Sequence, residues 1–238
     1  MKVLMVVPTY NEQLVIAKNI KTAYTALAVL LKDHDWTLLV ADNGSTDTTP
    51  GVVSALLAGC PRLAFWHTDK KGRGNALRQV WMQADADVVA YMDADLAADL
   101  AEVPKLIAAL RDADLAVGSR LSRGSSTDRS FFRECISRSY NLLSEILVGT
   151  SVSDLQCGFK AVKREVAQKI LPLTTHDGWF FDTELIVFAE HLGFKVAELP
   201  VAWQESPDRR RKSSVKVFST IWDDLVSLWK LRRRIKRF

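Results

Sequence analysis

The sequence predicts an α/β fold, a mostly parallel sheet with helices on both faces, and three observations predict it. Short apolar runs rich in β-branched residues alternate with segments of helical periodicity. Polar clusters stand at the carboxyl ends of these runs, where open α/β sheets bind ligands. Residues 209–238 break the pattern: they hold 11 Lys and Arg against two Asp, so within an overall charge of +4 the other 208 residues carry −5. A chain of 238 residues, 48% of them hydrophobic, can bury one large core.

Lys2–Val7 is a continuous apolar run ended by Pro8 and reads as a buried parallel strand. Asn11 is placed to cap a helix reaching about Leu31, with Leu14, Ala17, Ile20, Tyr24, Leu27 and Leu31 as its apolar stripe. Trp36–Ala41 is a second strand, and Ser45 or Thr46 then caps a helix through about Leu57, with Asp47 in its first turn. Leu63–His67 is a third strand. Gly72-Arg73-Gly74-Asn75 opens a helix to about Ala84, and Val88–Met92 is a fourth strand. Val103–Leu110 reads as helix and Leu115–Gly118 as a fifth strand. Past the Ser/Arg/Gly-rich loop 119–130, Phe131–Val148 is a helix, Leu155–Val162 a strand and Arg164–Leu171 a short helix. Phe181–Leu192 is a helix, and Phe194–Val201 is an edge strand because Pro200 cannot donate to a ladder.

With no repeat and no Gly/Pro linker, residues 1–208 read as one domain that changes character between its halves, 1–120 and 121–208. Residues 209–238 form a basic loop and an amphipathic C-terminal helix. Met1-Lys2 leads straight into Val3–Val7, too short an apolar stretch for a signal peptide, and no run approaches the roughly 18 apolar residues of a bilayer span. Cys60, Cys135 and Cys157 are odd in number and far apart, and the four histidines show no metal-ligand spacing. These features predict a reduced, cytoplasmic protein.

Chemistry gathers at the predicted rim. Asp93 and Asp95 follow the apolar run Val88–Met92, and in an extended segment residues i and i+2 point the same way. Two such carboxylates repel unless a cation lies between them, and a divalent metal holding an anionic ligand fits that need; a solvated Asp-rich turn is the plainer reading. The coincidence of Thr9–Glu12, Asp42–Asp47, Lys70–Asn75 and Asp93–Asp95 on one rim favours the metal. Asp42 stands where an acidic group reads a ribose hydroxyl or merely caps a helix. Gly72-x-Gly74 before a helix suits phosphate or any tight turn. Arg120, Arg123, Arg129, Arg133 and Arg138 are candidate phosphate clamps or a solvated basic face. Asp154 and Gln156 flank the Cys157-Gly158-Phe159 turn, and Asp182 and Glu184 follow Trp179-Phe180-Phe181, an aromatic run that suits a sugar ring or the core.

Together these residues resemble a known family. Pro8-Thr9-Tyr10-Asn11-Glu12, Asp42-Asn43-Gly44-Ser45-Thr46-Asp47, Gly72-Arg73-Gly74-Asn75-Ala76, Asp93-Ala94-Asp95 and Gly118-Ser119-Arg120 look like the family 2 glycosyltransferases with the A-type, Rossmann-like nucleotide-sugar fold. Asp154–Lys160, Trp179–Leu185 and Glu198–Trp203 resemble the polyprenyl-phosphate branch, closer to dolichyl-phosphate glucosyltransferases than to dolichol-phosphate mannose synthases. The resemblance implies transfer of glucose or mannose from UDP-glucose or GDP-mannose to polyprenyl or dolichyl phosphate, with inversion. It implies that Pro8, Tyr10, Glu12, Asp42, Gly72 and Gln156 hold the nucleotide sugar, and that Asp93 and Asp95 bind Mg²⁺ or Mn²⁺ on the diphosphate. Arg120, Arg133, Arg138 and Lys216 would meet phosphate, and Asp182 would sit near the reacting sugar carbon. Two departures stand out: Ala97 replaces a Gln that helps hold the metal in many mannosyl members, and Ser213-Ser214-Val215-Lys216 lacks the Gly that usually precedes the Ser-Lys pair.

A phosphate acceptor is already anionic near neutral pH and needs no strong general base. Asp182→Asn is therefore expected to be less damaging than Asp93→Asn. The tail Val217–Phe238 carries Phe218, Ile221, Trp222, Leu225, Leu228, Trp229 and Ile235 along an apolar stripe with Lys and Arg crowded at its end. That composition fits an interfacial helix on an anionic membrane or a helix packed on the body. The localisation that follows is the cytoplasmic face of a membrane, with a membrane partner subunit or homo-oligomer left open; nucleic acid is disfavoured by the acidic body. Other readings are a hydroxyl acceptor on the same fold and a non-catalytic nucleotide-sugar or membrane-binding module.

Overall fold

The computed structural model describes residues 1–128, 131–204 and 217–236, with the side chains of 128, 131–133, 135 and 217–222 outside that description. Its main sheet has seven strands: β1 (Lys2–Thr9), β2 (Asp35–Asn43), β3 (Leu63–Thr68), β4 (Val88–Met92), β5 (Leu115–Ser119), β7 (Phe159–Lys163) and β8 (Val196–Pro200). They lie in the order β3-β2-β1-β4-β7-β5-β8. β6 (Ser126–Asp128) and β9 (Ala202–Gln204) form a separate parallel pair. The α-helices among the described residues are α1 (Ile16–Leu30), α2 (Thr49–Leu57), α3 (Arg73–Gln83), α4 (Val103–Ala109), α5 (Phe131–Val148), α6 (Arg164–Ile170), α7 (Phe181–His191) and α8 (Val217–Ile235).

The strands are buried on both faces, which is why they read as continuous apolar runs. In β1, Val3, Met5 and Val7 enter the core shared with α1, α2 and α4, while Val6 enters the opposite core with α3, α6 and α7. All strand pairs of the main sheet are parallel except those of β7, which runs antiparallel to both β4 and β5. That reversal positions the site. Met92 pairs with Phe159, so the turn before β7 arrives at the rim where β4 ends. The predicted strand over 155–162 therefore begins only at Phe159. β8 is an edge strand of this sheet, as Pro200 predicts.

Two predicted helix starts are corrected, for one reason. Asn11 does not cap α1, which begins at Ile16 and has no side-chain cap bond. Asn11 adopts a left-handed backbone (φ 53°) and reaches across to the next loop. Its Oδ1 accepts from Thr46 N–H at 2.8 Å, and its own N–H donates to Ser45 Oγ at 2.8 Å. Ser45 and Thr46 are thereby committed to Asn11, and α2 starts later, at Thr49, whose N–H donates to Asp47 Oδ1 at 2.9 Å. The α1 stripe is also shifted: Ile16, Ile20, Ala23 and Leu27 are buried, and Leu14 is 71% exposed.

α8 packs on the body. Leu228 and Leu231 are buried with α3, α6 and α7 residues, and Ile235 packs against them. Of the two readings of this stripe, Leu228 and Ile235 follow the one packed on the body; Phe218, Ile221 and Trp222 lie outside the described side chains. Among the described residues, no helix is long and apolar enough to cross a membrane.

Candidate active site

The site is built where β4 and β7 end and begin side by side. Asp93 and Asp95 lie on a tight turn, not on an extended segment as the sequence suggests. Leu96 N–H donates to Asp93 O at 3.0 Å, and Leu96 closes the turn in the left-handed region (φ 54°). Such backbone costs free energy and concentrates at functional positions. Asn19 of α1 donates to Ala94 O at 2.8 Å, and Asp95 Oδ1 accepts from Ala97 N–H at 3.3 Å. Ala97 is buried, with its carbonyl taken by Gln204 N–H. The Asp93 side chain is 21% exposed.

Gly158 exists for Asp93. A Cβ there would fall 1.8 Å from Asp93 Oδ2, so only glycine leaves room for the carboxylate. Asp93 N–H donates to Gly158 O at 3.1 Å, which locks the two residues together. Burial pushes the Asp93 carboxyl above the usual range, with Asp95 and Asp182 adding to the rise and Arg73 opposing it. Among the described residues no group of three His, Cys, Asp or Glu is placed to hold a metal. Two carboxylates in a cradle made for one of them nevertheless fit a hard divalent cation that takes its remaining ligands from phosphate and water.

Behind Asp93 lies a buried ionic cluster that the sequence did not announce. Arg73 lies 3.4 Å from Asp93 Oδ1 and 3.0 Å from Asp182 Oδ2. Lys160, fully buried in β7, lies 3.1 Å from Asp182 Oδ1, and Tyr91 Oη donates to that same oxygen. Arg73 Nη2 donates to Tyr91 Oη at 2.7 Å. Burial works against the Arg73 charge, yet Asp182, Tyr91 and Asp93 hold its pKa above the ordinary value; burial also raises that of Tyr91. The guanidinium sits 4.8 Å from the Tyr91 ring centroid and 4.5 Å from that of Trp179. Trp179 is 40% exposed, whereas Phe180 and Phe181 are core. Any sugar platform in this aromatic run is therefore Trp179 alone. Asp182, expected beside the sugar carbon, is 1% exposed and faces this cluster. The available signals were a lysine inside the apolar run Phe159–Val162 and an arginine between two glycines.

The other expected residues fall as follows. Arg120 makes a bidentate pair with Asp154, Nε to Oδ2 at 2.7 Å and Nη2 to Oδ1 at 2.8 Å, with its guanidinium 5.0 Å from the Trp203 ring centroid. Burial would raise the Asp154 pKa, but Arg120 wins and lowers it. Asp154 thus fixes the orientation of the Arg120 guanidinium. Arg138 is an exposed partner of Glu134, 2.7 Å away and one turn back on α5. The Arg133 side chain, Arg129 and Lys216 lie outside the described residues, and Arg123 is exposed. Gln156 Nε2 donates to Asp224 Oδ2 of α8 at 2.9 Å.

Gly72 and Gly74 stand where two segments of the chain meet closely. Their Cβ positions would fall 2.6 Å from Asp177 O and 2.5 Å from Phe181 Cβ, and Asn75 N–H donates to Asp177 O at 3.1 Å. The start of α3 is covered by residues 176–181 of this chain, so these glycines serve close packing, the plainer of the two sequence readings.

Pro8 is buried at the end of β1, Glu12 is buried with its N–H on Thr49 Oγ1 at 2.9 Å, and Tyr10 has Lys71 Nζ 3.9 Å above its ring. Asp42 is fully buried, 2.7 Å from His67 Nδ1; His67 Nε2 is 3.1 Å from Asp69 Oδ1. These contacts, that to Asp42 first, raise the His67 pKa.

Residues 5–171, which include this rim and the acidic turn after β4, match the family model for glycosyl transferase family 2. The chain belongs to that family. It is 34% identical over 212 residues to the glycosyltransferase AglD of Haloferax volcanii, covering 88% of this chain and 34% of that one. It is 28% identical to the dolichyl-phosphate beta-glucosyltransferase of Saccharomyces cerevisiae, covering 84% of this chain and 66% of that one. With the Mus musculus enzyme of that name the identity is 31%, covering 84% and 67%. The chain thus spans about a third to two thirds of these relatives. Glucosyl-3-phosphoglycerate synthase from Mycobacterium tuberculosis, solved with uridine diphosphate, shares the fold at a TM-score of 0.72 and 20% identity, covering 97% of this chain and 80% of that one.

Proposed function

We propose that the chain transfers a hexose from a nucleotide diphosphate sugar to the phosphate of a polyprenyl or dolichyl phosphate, inverting the anomeric centre. The observation that carries this reading is the Asp93–Leu96 turn at the rim, its first carboxylate cradled by Gly158. The similarity to dolichyl-phosphate beta-glucosyltransferases supports the acceptor and makes UDP-glucose the first donor to test, ahead of GDP-mannose.

Asp93 and Asp95 would hold Mg²⁺ or Mn²⁺ against the diphosphate, where the cation supplies positive charge to the leaving group. Arg73 adds a fixed cation 3.4 Å behind Asp93. In the reaction an acceptor phosphate oxygen bonds to the anomeric carbon from the face opposite the leaving group. The carbon–oxygen bond to the diphosphate breaks, and the diphosphate departs with the electron pair. Charge development, not proton transfer, is the main demand on the protein. Asp182 fits that demand. Its carboxylate is engaged by Arg73, Lys160 and Tyr91, an arrangement that supports a structural anion over a base for a hydroxyl acceptor. The enzyme would work at a cytoplasmic membrane surface, where its lipid acceptor resides.

The test is a radiolabel transfer screen with UDP-glucose and GDP-mannose against polyprenyl phosphate in micelles, with Mn²⁺ or Mg²⁺. Metal-dependent labelled lipid from one donor is expected, with the label lost in Asp93→Asn. Failure to bind either nucleotide sugar in the presence of Mn²⁺ would sink the reading in favour of a non-catalytic module.

A further inference from the structure

α8 has two opposite faces. Asp224, Leu228, Leu231 and Ile235 face the body. Val226, Trp229, Lys230, Arg233 and Lys236, at helical spacings of three and four, form a ridge on the other side, and all five are exposed. The ridge runs for about 15 Å at 1.5 Å per residue. Trp229 is 50% exposed, with the Arg233 guanidinium 3.4 Å from its ring centroid. Asp223, on the flank, is the acidic exception. α5, which packs against α8, leaves Leu142 and Ile146 exposed on its own outer side.

We propose that this outward ridge of α8 is a docking surface for an anionic lipid leaflet. The occupant follows from charge and shape. An indole is apolar with one polar end and suits the boundary between headgroups and acyl chains. Cations beside it meet anionic headgroups, each contributing about fivefold in partition. Nucleic acid would ask for a basic body, and residues 1–208 carry a net −5.

The ridge is tied rigidly to the site. On the inner face, Asp224 accepts from Gln156, two residues before the Gly158 cradle. Arg234 pairs with Glu184, two residues after Asp182, and donates to Thr175 Oγ1 at 2.9 Å. A helix lying on the leaflet would therefore hold Asp93 and Asp182 at one height above it. This deepens the reading of a lipid-phosphate acceptor, and its value to catalysis rests on that reading.

The test is vesicle co-sedimentation of the full chain, with phosphatidylcholine alone and phosphatidylcholine mixed with phosphatidylserine. Wild type is expected to bind the anionic vesicles and to release in high salt. Lys230→Gln with Arg233→Gln is expected to bind them about 25-fold more weakly. Both side chains are exposed, so melting temperature and transfer to micellar polyprenyl phosphate should hold. Unchanged vesicle binding by the double variant, or no preference of wild type for anionic vesicles, overturns the proposal. So does a wild-type dimer that the double variant converts to monomer, since the ridge is then an interface between copies. Vesicle binding that depends on the ridge, without transfer to any acceptor, supports the docking surface and counts only against the proposed reaction.

Discussion

Replacing Gly158 by alanine adds one methyl group, and the structure says where it goes. The new Cβ would lie 1.8 Å from Asp93 Oδ2, 2.2 Å from Cγ and 2.6 Å from Oδ1. Ordinary carbon contacts begin at about 3.5 Å, so the carboxylate must retreat by more than about 1 Å. The backbone cannot absorb the shift without breaking the Asp93 N–H bond to Gly158 O and the adjacent Met92–Phe159 pairing. Rotation of Asp93 into another side-chain well is the easier escape, at about 1 kcal/mol. Overpacking adds about 1–3 kcal/mol, which lowers the melting temperature without unfolding the domain. The functional loss is larger, because misplacing a reacting group by about 1 Å costs on the order of 100-fold. The assay is kcat/KM over a Mn²⁺ titration, with calorimetric Mn²⁺ binding in the presence of nucleoside diphosphate. Gly51→Ala is the control, since nothing lies within 4 Å of its Cβ position. A Gly158→Ala enzyme within about threefold of wild type, with unchanged Mn²⁺ binding, would show that this cradle does not aim Asp93 at the metal.

Asp182→Asn removes the anion between Arg73 and Lys160 and is expected to cost about 3–5 kcal/mol, read as a large drop in melting temperature. Asp93→Asn should keep most of the stability and lose metal-dependent turnover; a normal melting temperature for Asp182→Asn would refute the buried cluster. Asp224, pushed up to about 6 chiefly by burial, binds its proton more tightly folded than unfolded. Its contribution to stability is therefore favourable at low pH and lost as pH rises from about 4 to about 6. Asp224→Asn can still accept from Gln156, so it should exceed wild type by about 3 kcal/mol in urea unfolding near pH 8, with about half that gain near pH 5; equal gains at both values count against it. The His67 imidazole, followed by proton NMR, should titrate above the ordinary histidine value, and Asp69→Asn should bring the midpoint down.

The alternation of strands and helices was legible because a strand buried on both faces must be apolar throughout. β4 and α5 begin and end where the sequence places them. What local pattern cannot encode is the partner. Asn11, Ser45 and Thr46 all look like caps, but each spends its side chain on another loop, and the helices start without them. The reversed β7 was hidden for the same reason, since strand order is decided by packing. In the site, Asp93 and Asp95 were visible from their position after an apolar run. The cradle of Asp93 was not, because a glycine beside a turn announces close approach without naming what approaches. Gly72 and Gly74 show the cost of that ambiguity, being filled by residues 176–181.

The buried cluster also changes what Asp182 means. Read from the sequence, it is a carboxylate near a sugar, free to be base or spectator. In the fold its two oxygens face Arg73 on one side and Lys160 with Tyr91 on the other. Arg73, Lys160, Asp93 and Asp182 bring two positive and two negative charges to one small volume. Taking away Asp182 strands both cations in a low dielectric, whereas losing Asp93, 21% exposed, leaves Arg73 its pair with Asp182. Arg73 touches both carboxylates and ties the acidic turn of β4 to the start of α7. Its position, fixed from both sides, keeps a positive charge beside the place where the leaving diphosphate would gain negative charge. A base at Asp182 would have to give up that arrangement to accept a proton. An acceptor that arrives already ionised asks for no such exchange, and that is the physical reason the geometry favours phosphate over hydroxyl.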